Sequence, residues 1–212
     1  MREGAILVRA KDKVFLIGAG DHAKVVLSTL EACGAECAGI YDDNPNLRGK
    51  TLWSIPIIGA VSEMPDEPDI MCVIAIGSNQ VRRSISERFK NVCWPVFVNP
   101  ISSVHSSVRL GAGTMVFAGS LIESDASIGR HCIVGSGCFV GHDSVIGDYC
   151  QLAPGSLTGD NVSLGSGVLL GLGSIVKPYV KVYDGASVEL GEKVIKDRRP
   201  ESIGAASPEA GE

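Results

Sequence analysis

The sequence predicts two domains, a small α/β domain followed by a parallel β-helix. From Val98 to Val194 an aliphatic residue recurs at every sixth position, in 16 of 17 cases. Strand-like and helix-like segments alternate over residues 13–97, as in a small α/β fold. The 212 residues include 26 glycines and are only 5% aromatic. Such a chain is long enough for two small domains and rich in turns.

The first domain is predicted from buried strands that alternate with helical patterns. Strands are predicted at Lys13–Ile17, Cys37–Tyr41 and Asp69–Ile76, with a short extended piece at Leu52–Ile58. Helical patterns follow the first strand to about Ala32 and cover Val81–Lys90. Residues 13–97 therefore form a predicted parallel α/β domain, after a polar lead-in over residues 1–12.

The second domain is predicted from the period of six, which fits neither a helix nor simple strand alternation. Three hexapeptides make one triangular coil, and each aliphatic side chain stacks on its equivalent about 4.8 Å away. A small residue four positions later is expected to fill the interior, and the glycine that often follows the aliphatic is expected to tolerate a strained corner. Residues 98–195 are predicted as the β-helix and residues 196–212 as a C-terminal tail.

Charge and composition narrow the classes of function. A formal net charge of −5 without a basic stripe argues against nucleic-acid binding. The apolar runs are too short to span a bilayer, and residues 1–10 lack a signal core, so a cytoplasmic protein without membrane insertion is expected. The seven cysteines show no paired CxxC arrangement. Cys132 and Cys150 lie one coil apart, and we expect small buried side chains rather than a disulfide.

The first turn of the α/β domain is a candidate phosphate-binding loop. Gly18 and Gly20 allow a tight turn, and a helix that begins near Asp21 points its amides towards an anion. Asp42 lies 22 residues beyond Gly20, where an acid that binds a ribose is expected. Residues 13–97 supply only half of a dinucleotide fold, which favours a single nucleotide over NAD.

His142 is the candidate catalytic residue of the β-helix. It occupies the third position of its hexapeptide, near a corner and pointing outward, and Asp143 follows it directly. His105 and His131 have no stronger claim by spacing, and an ordinary surface histidine remains the alternative. A flat β-helix face offers no pocket, so a site at His142 requires a second chain, and the function implies an oligomer.

Three stretches carry a family resemblance: Val14-Phe-Leu-Ile-Gly-Ala-Gly-Asp-His-Ala-Lys-Val-Val26, Ala75-Ile-Gly-Ser-Asn79 and Gly141-His-Asp-Ser-Val-Ile-Gly147. Together they resemble the left-handed β-helix sugar acetyltransferases of the sialic-acid O-acetyltransferase type. Within that group they are similar to enzymes that N-acetylate nucleotide-linked 4-amino sugars of the perosamine and bacillosamine type. The resemblance covers residues 13 to about 200. It implies acetyl-CoA as cosubstrate, no metal, and a homotrimer with sites between chains.

The same resemblance assigns the site residues. It implies His142 as general base and Asp143 as its acidic neighbour. Substrate-binding residues are implied at Gly18, Gly20, Asp21, His22, Asp42, Asp43, Gly77, Ser78, Asn79 and Gln151. CoA is implied along the coils beyond His142, near Gly155, Gly159, Asp160, Gly171 and Gly173. The amide of Gly159 or Asp160 is implied as the donor to the thioester oxygen.

Three departures from the family pattern stand out. Gln151 stands where a second histidine is frequent, and Gly135 where an asparagine is common upstream of the catalytic histidine. Residues 203–210 replace the usual closing motif of the family. These departures affect two expected features, which are the substrate contact at Gln151 and the C-terminal contact with CoA.

The predicted function is acetyl-CoA-dependent N-acetylation of a nucleotide-activated 4-amino-4,6-dideoxy sugar, as used in polysaccharide biosynthesis. Transfer is expected by direct attack, because Cys150 occupies an inward position and does not suit an acyl-enzyme. Two alternatives remain open from the sequence. One is O-acetylation of a sialic-acid-like hydroxyl, and the other is a non-catalytic scaffold that binds a sugar nucleotide.

Overall fold

The computed structural model describes residues 13–200, and its first domain is a five-stranded sheet with two helices. The strands are β1 (Lys13–Ile17), β2 (Glu36–Tyr41), β3 (Thr51–Leu52), β4 (Ile55–Gly59) and β5 (Met71–Ile74). The helices are α1 (Asp21–Ala32) and α2 (Asn79–Arg88), with short 3₁₀ turns at Pro45–Leu47 and Val61–Glu63. The order β3-β4-β2-β1-β5 is parallel except for β3, which runs antiparallel to β4.

Helix α1 forms where apolar residues follow a helical spacing. Ala23, Val26, Leu27 and Leu30 are buried against the sheet, which is the i, i+3, i+4, i+7 pattern of an amphipathic helix. The chain leaves β1 through α1 towards β2, whereas β5 lies on the other side of β1. The carboxyl ends of β1 and β5 therefore flank a topological switch point, where open α/β sheets bind ligands.

The predicted extended piece at Leu52–Ile58 is a β-hairpin. Strands β3 and β4 pair around Trp53 and Ser54, whose φ angles are +49° and +67°. A two-residue turn with both φ angles positive normally contains Asn or Gly. The sequence Trp-Ser gives no such signal, which explains why the hairpin was not predicted from the sequence.

The second domain is a β-helix with one two-residue strand per hexapeptide. Strands from successive coils stack in parallel into three sheets, which we call faces A, B and C. Face A contains Phe97–Val98, Met115–Val116, Ile133–Val134, Gln151–Leu152, Leu169–Leu170 and Ser187–Val188. Face B contains Ser103–Val104, Leu121–Ile122, Phe139–Val140, Leu157–Thr158, Ile175–Val176 and Lys193–Val194. Face C contains Arg109–Leu110, Ser127–Ile128, Val145–Ile146, Ser163–Leu164 and Lys181–Val182.

The interior follows the repeat. One continuous core contains the aliphatic residues of all three faces, from Val98 to Val194, and each pairs in register with its equivalent 18 residues later. The small residues four positions after them are also buried, among them Ser120, Ser144 and Ser156. Cys132 and Cys150 are buried free thiols in this interior, not a disulfide.

The glycine that follows the aliphatic residue has a different role from the one predicted. At Gly147 and Gly171 an added Cβ would lie 2.7 Å from backbone of the next coil, so the glycine permits close stacking. The strained corner falls two residues later. There φ is positive from Gly113 to Gly191, whether the residue is glycine or, as at His131 and Asp143, a larger side chain.

The α/β domain packs on face A. The outward-facing Phe97, Met115 and Ile133 are buried in a shared core with α1 and the sheet. Arg82 of α2 is also buried, and its guanidinium donates to six acceptors without a carboxylate among them. Within residues 13–200 no helix has the length and apolarity to cross a membrane.

Candidate active site

A first cavity lies at the switch point of the α/β sheet. It encloses about 400 Å³ and is lined by Gly18, Asp42, Asp43 and Ile76 together with residues of α2. Gly18 has a φ of +102°, and an added Cβ would lie 2.7 Å from Ile76, so only glycine fits between the two loops. The structure thus brings together three residues of the predicted nucleotide site.

Asp42, which the sequence predicts as an acid that binds a ribose, accepts hydrogen bonds from two backbone amides. One carboxylate oxygen accepts the N–H of Ala19 at 2.7 Å, and the other accepts the N–H of Asn44 at 2.8 Å. Asp43 in turn accepts the N–H of Val61 at 2.8 Å. A carboxylate oxygen retains a second acceptor position, so both side chains can still accept a ribose or base donor.

A second cavity of about 680 Å³ lies between α2 and the outer side of face A. It is lined by Gly77, Ser78, Asn79 and Gln151 of the predicted substrate residues. The two cavities meet at α2, because Ser84 lines both of them. The two cavities are therefore neighbours along α2, a helix whose Ser84, Ile85 and Arg88 the sequence did not single out.

Three predicted substrate residues are placed differently. The side-chain amide of Asn79 is engaged in domain docking, since it donates to Gly167 O at 2.9 Å and accepts from Arg82. His22 packs edge-on against Phe117, and its buried Nε2 has no hydrogen-bond partner among the described residues. Burial and the nearby Arg82 lower its pKa. Asp21 is exposed at the start of α1, next to Gly20.

His142 lies at the corner between faces B and C. Its Nδ1 is 2.7 Å from Asp143 Oδ2, and its Nε2 is 3.4 Å from Asp160 Oδ2. The backbone N–H of His142 donates to Glu123 Oε2 at 3.2 Å. The imidazole is 44% exposed, so its Nε2 edge can reach a bound molecule. The Asp143 contact fixes the proton on Nδ1 and leaves the lone pair on Nε2.

Acidic neighbours set the protonation of His142. The hydrogen bond that the imidazole donates to Asp143, followed by the charges of Asp160, Asp143 and Glu123, raises the pKa of the imidazole above its ordinary value. The neutral form, which can accept a proton, therefore predominates only above that raised pKa. The contact with Asp160 could have been predicted from the sequence, because Asp160 lies 18 residues, or one coil, after His142.

An apolar trough of about 400 Å³ runs along face B beside His142. Its floor is formed by Phe139, Leu157 and Ile175, and Gly159 lies at its edge. Gly155 and Gly173 lie on the opposite edge of face B, at left-handed corners where an added Cβ would meet nothing. Gly171, by contrast, is required for coil stacking. The predicted CoA residues thus flank one continuous apolar face.

The predicted oxyanion donors differ in availability. The Gly159 N–H already donates to Val176 O at 2.9 Å, as a rung of the β-helix ladder. The Asp160 N–H makes no hydrogen bond within the part of the chain that the structure describes. Of the two amides, that of Asp160 is the one free to donate a hydrogen bond to a bound molecule.

The two cavities and His142 lie on different sides of one chain. Both cavities adjoin face A or the domain docked on it, whereas His142 occupies the corner between faces B and C. In a three-sided coil this corner lies opposite face A. A molecule held in these cavities therefore cannot reach His142 of the same chain.

Comparison with known proteins places the chain in a class of transferases. Residues 13–89 match the PglD N-terminal domain, and residues 125–160 match the bacterial transferase hexapeptide family of six repeats. The Bacillus subtilis UDP-N-acetylbacillosamine N-acetyltransferase is 32% identical over 50% of this chain and 51% of its own length. A mimivirus protein of uncharacterised function is 34% identical over 53% of the chain and only 23% of its own length. The chain thus spans about half or less of the curated relatives it matches.

Solved structures extend the similarity to nearly the whole chain. Perosamine N-acetyltransferase from Caulobacter crescentus, in complex with CoA and GDP-perosamine, is 31% identical and has a TM-score of 0.82. That match covers 90% of this chain and 91% of the Caulobacter chain. The acetyltransferase domain of PglB from Neisseria gonorrhoeae is 26% identical, with a TM-score of 0.81 over 88% and 92% of the two chains.

The chain belongs to this family of hexapeptide-repeat acetyltransferases with a PglD-type N-terminal domain. The predicted family and fold class, an α/β domain followed by a left-handed β-helix, are confirmed. The residue assignments within the site remain predictions.

Proposed function

We propose that this protein transfers the acetyl group of acetyl-CoA to the amino group of a nucleotide-linked 4-amino sugar. The observation that carries the proposal is the geometry of His142. Its Nδ1 is held by Asp143 at 2.7 Å, and its side chain is 44% exposed at the edge of face B, the face that carries the apolar trough. Solved relatives in complex with CoA and GDP-perosamine, or with acetyl coenzyme A, support the same pair of substrates.

The residues divide the reaction as follows. Neutral His142 accepts a proton at Nε2 from the ammonium form of the acceptor, and the freed nitrogen lone pair attacks the thioester carbonyl carbon. The Asp160 N–H donates to the carbonyl oxygen as it gains negative charge. The C–S bond then breaks, and the thiolate is protonated to the free thiol. The amide product and one proton released through His142 complete the balance.

We infer that the working enzyme is a homotrimer with each site between two chains. The cavities on face A and the corner at His142 lie on opposite sides of one protomer. Pairing one chain's α/β domain with the His142 corner of its neighbour completes a site, and a cyclic arrangement repeats that contact without open ends. We also propose a cytoplasmic location and a role in polysaccharide biosynthesis.

A substrate panel tests the proposal. The protein is incubated with acetyl-CoA and with UDP-, GDP- or dTDP-linked 4-amino-4,6-dideoxy sugars, and release of free CoA thiol is followed. We expect turnover with one of the amino sugars and at most slow turnover with its 4-hydroxy analogue. Faster acetylation of the hydroxyl compound would support a sugar O-acetyltransferase instead. Binding without turnover of any compound would support a non-catalytic scaffold.

A further inference from the structure

Asp160 occupies a repeat position that has a structural role elsewhere in the β-helix. Asp148 and Asp184 stand at the same hexapeptide position as Asp160. Each accepts the backbone N–H of the residue 18 positions earlier, Arg130 or Ser166, at 2.8 Å. In these two cases the aspartate joins adjacent coils, and Asp148 also pairs with the guanidinium of Arg130 at 3.0 Å.

Asp160 does not accept the equivalent hydrogen bond from the residue 18 positions earlier. The corresponding N–H belongs to His142, and it donates to Glu123 Oε2 at 3.2 Å. The Asp160 carboxylate instead lies with Oδ2 at 3.4 Å from His142 Nε2, and its side chain is 41% exposed. Within residues 13–200 it forms no ion pair with a lysine or arginine. A carboxylate therefore stands at the edge of the imidazole where the proton is exchanged.

The two aspartates beside His142 are not equivalent. Asp143 Oδ2 makes a short contact of 2.7 Å with Nδ1, which is typical of a charge-assisted hydrogen bond. The 3.4 Å separation between Asp160 and Nε2 is longer than such a bond and leaves the carboxylate able to take a cationic partner. Asp143 orients the ring, and Asp160 faces the incoming acceptor.

We propose that the Asp160 carboxylate binds the acceptor amine in its ammonium form beside His142 Nε2, and so selects an amine over a hydroxyl. This inference rests on the proposed N-acetyltransferase function. The positive charge of an ammonium group is attracted to the carboxylate, whereas a hydroxyl group is neutral and lacks this attraction. The carboxylate thus favours binding of the amino sugar by a charge-assisted contact that the hydroxyl analogue lacks.

The transfer of a proton to His142 keeps the positive charge close to the same acidic side chains. An N–H bond of the ammonium breaks, an Nε2–H bond forms, and the positive charge passes from the sugar nitrogen to the imidazole. It remains between Asp143, Asp160 and Glu123, the acidic groups that face His142 from its own coil and from the two adjacent coils. The same charges raise the pKa of His142 after the Asp143 hydrogen bond, so removing one of them should lower it.

The test compares Asp160→Asn with Asp148→Asn as the matched control, because asparagine keeps an acceptor oxygen at both positions. For Asp160→Asn we expect the KM of the 4-amino sugar nucleotide to rise about 10- to 100-fold, the range of a charged hydrogen bond. The inhibition constant of the 4-hydroxy analogue should stay within about 3-fold. The acidic limb of the pH–rate profile should shift to lower pH. Asp160→Glu should restore part of the amine affinity, and Asp148→Asn should change none of these values.

The outcomes separate this inference from the proposed function. If the wild-type protein acetylates the amino sugar but Asp160→Asn retains its KM and its acidic limb, this inference is wrong and the proposed function stands. Equal weakening of the amino and hydroxy compounds would also overturn the inference, because it would indicate a structural role for Asp160. A wild-type protein that acetylates no amino sugar would overturn both.

Discussion

Two corners of the β-helix each carry a histidine, and their surroundings differ in every respect. His142 is 44% exposed, bonded to Asp143, and has a raised pKa. His131 is buried beneath the α/β domain, between Trp94 and a parallel Tyr149 ring 5.5 Å away, and burial lowers its pKa to about 4. The repeat places both side chains at corners, but the docked domain closes one corner and leaves the other open.

The largest expected effect concerns the open corner. His142→Ala should lower kcat by roughly 10²–10⁴-fold with little change in KM, because it removes a positioned general base. The measurement is CoA release at saturating sugar nucleotide. His105→Ala is the control, because His105 is an exposed histidine that also lies between faces B and C, 37 residues earlier. Near-full turnover in His142→Ala would contradict the assignment of His142 as the general base.

At the closed corner, where the α/β domain covers His131, a substitution should lower the stability of the fold. Arg82→Met removes a buried donor to six acceptors, among them the backbone oxygens of His131, Tyr149 and Cys150. We expect the free energy of unfolding to fall by on the order of 3 kcal/mol, because the three buried backbone oxygens are left without a donor. Urea denaturation measures this loss. Replacing the neighbouring Arg83, which stacks on Tyr149 from the exposed side, should cost about 1 kcal/mol or less.

The stability of the fold should depend on pH through His131, the histidine of the closed corner. The folded pKa of His131 is about 4, below its ordinary value of 6.5. Between these values the unfolded chain binds a proton that the folded chain does not. Stability should therefore fall as the pH is lowered from about 6.5 towards 4. His131→Gln should show a shallower decline of the urea midpoint over this window, whereas His105→Ala should follow the wild type.

A smaller effect is expected in the α/β domain. Asp42→Ala should raise the KM of the sugar nucleotide about tenfold and leave that of acetyl-CoA unchanged, because Asp42 lines the switch-point cavity and supports its loop. Steady-state kinetics with each substrate varied in turn would measure both constants. Equal increases in the two KM values would contradict the division of substrates between the two domains.

The period of six was sufficient to predict the β-helix, because each aliphatic residue from Val98 to Val194 had only one face to occupy. Residues 13–17 and the end of α1 at Ala32 were also predicted as the structure has them. The position of His142 followed from the same register. Regular local patterns of this kind depend on near neighbours in sequence, which explains the agreement.

The remaining features depend on contacts that a local pattern does not contain. Arg82 lies in a polar helical segment that suggests a solvent-facing side chain, and its burial results from docking on face A. The Asp160 carboxylate was not predicted beside Nε2, although its 18-residue spacing from His142 was available. Residues 203–210, where the sequence departs from the family, lie outside the described residues.

The most direct test asks whether the open corner is completed by a second chain. His142→Ala and Asp42→Ala chains are co-expressed with different tags, and trimers that carry both tags are isolated. In a cyclic trimer with sites between chains, each mixed particle contains one site with an intact α/β domain and an intact His142. We therefore predict about one third of the wild-type activity, measured at limiting sugar nucleotide. Activity no higher than that of the two parent variants would contradict the account, because it would place each site within a single chain.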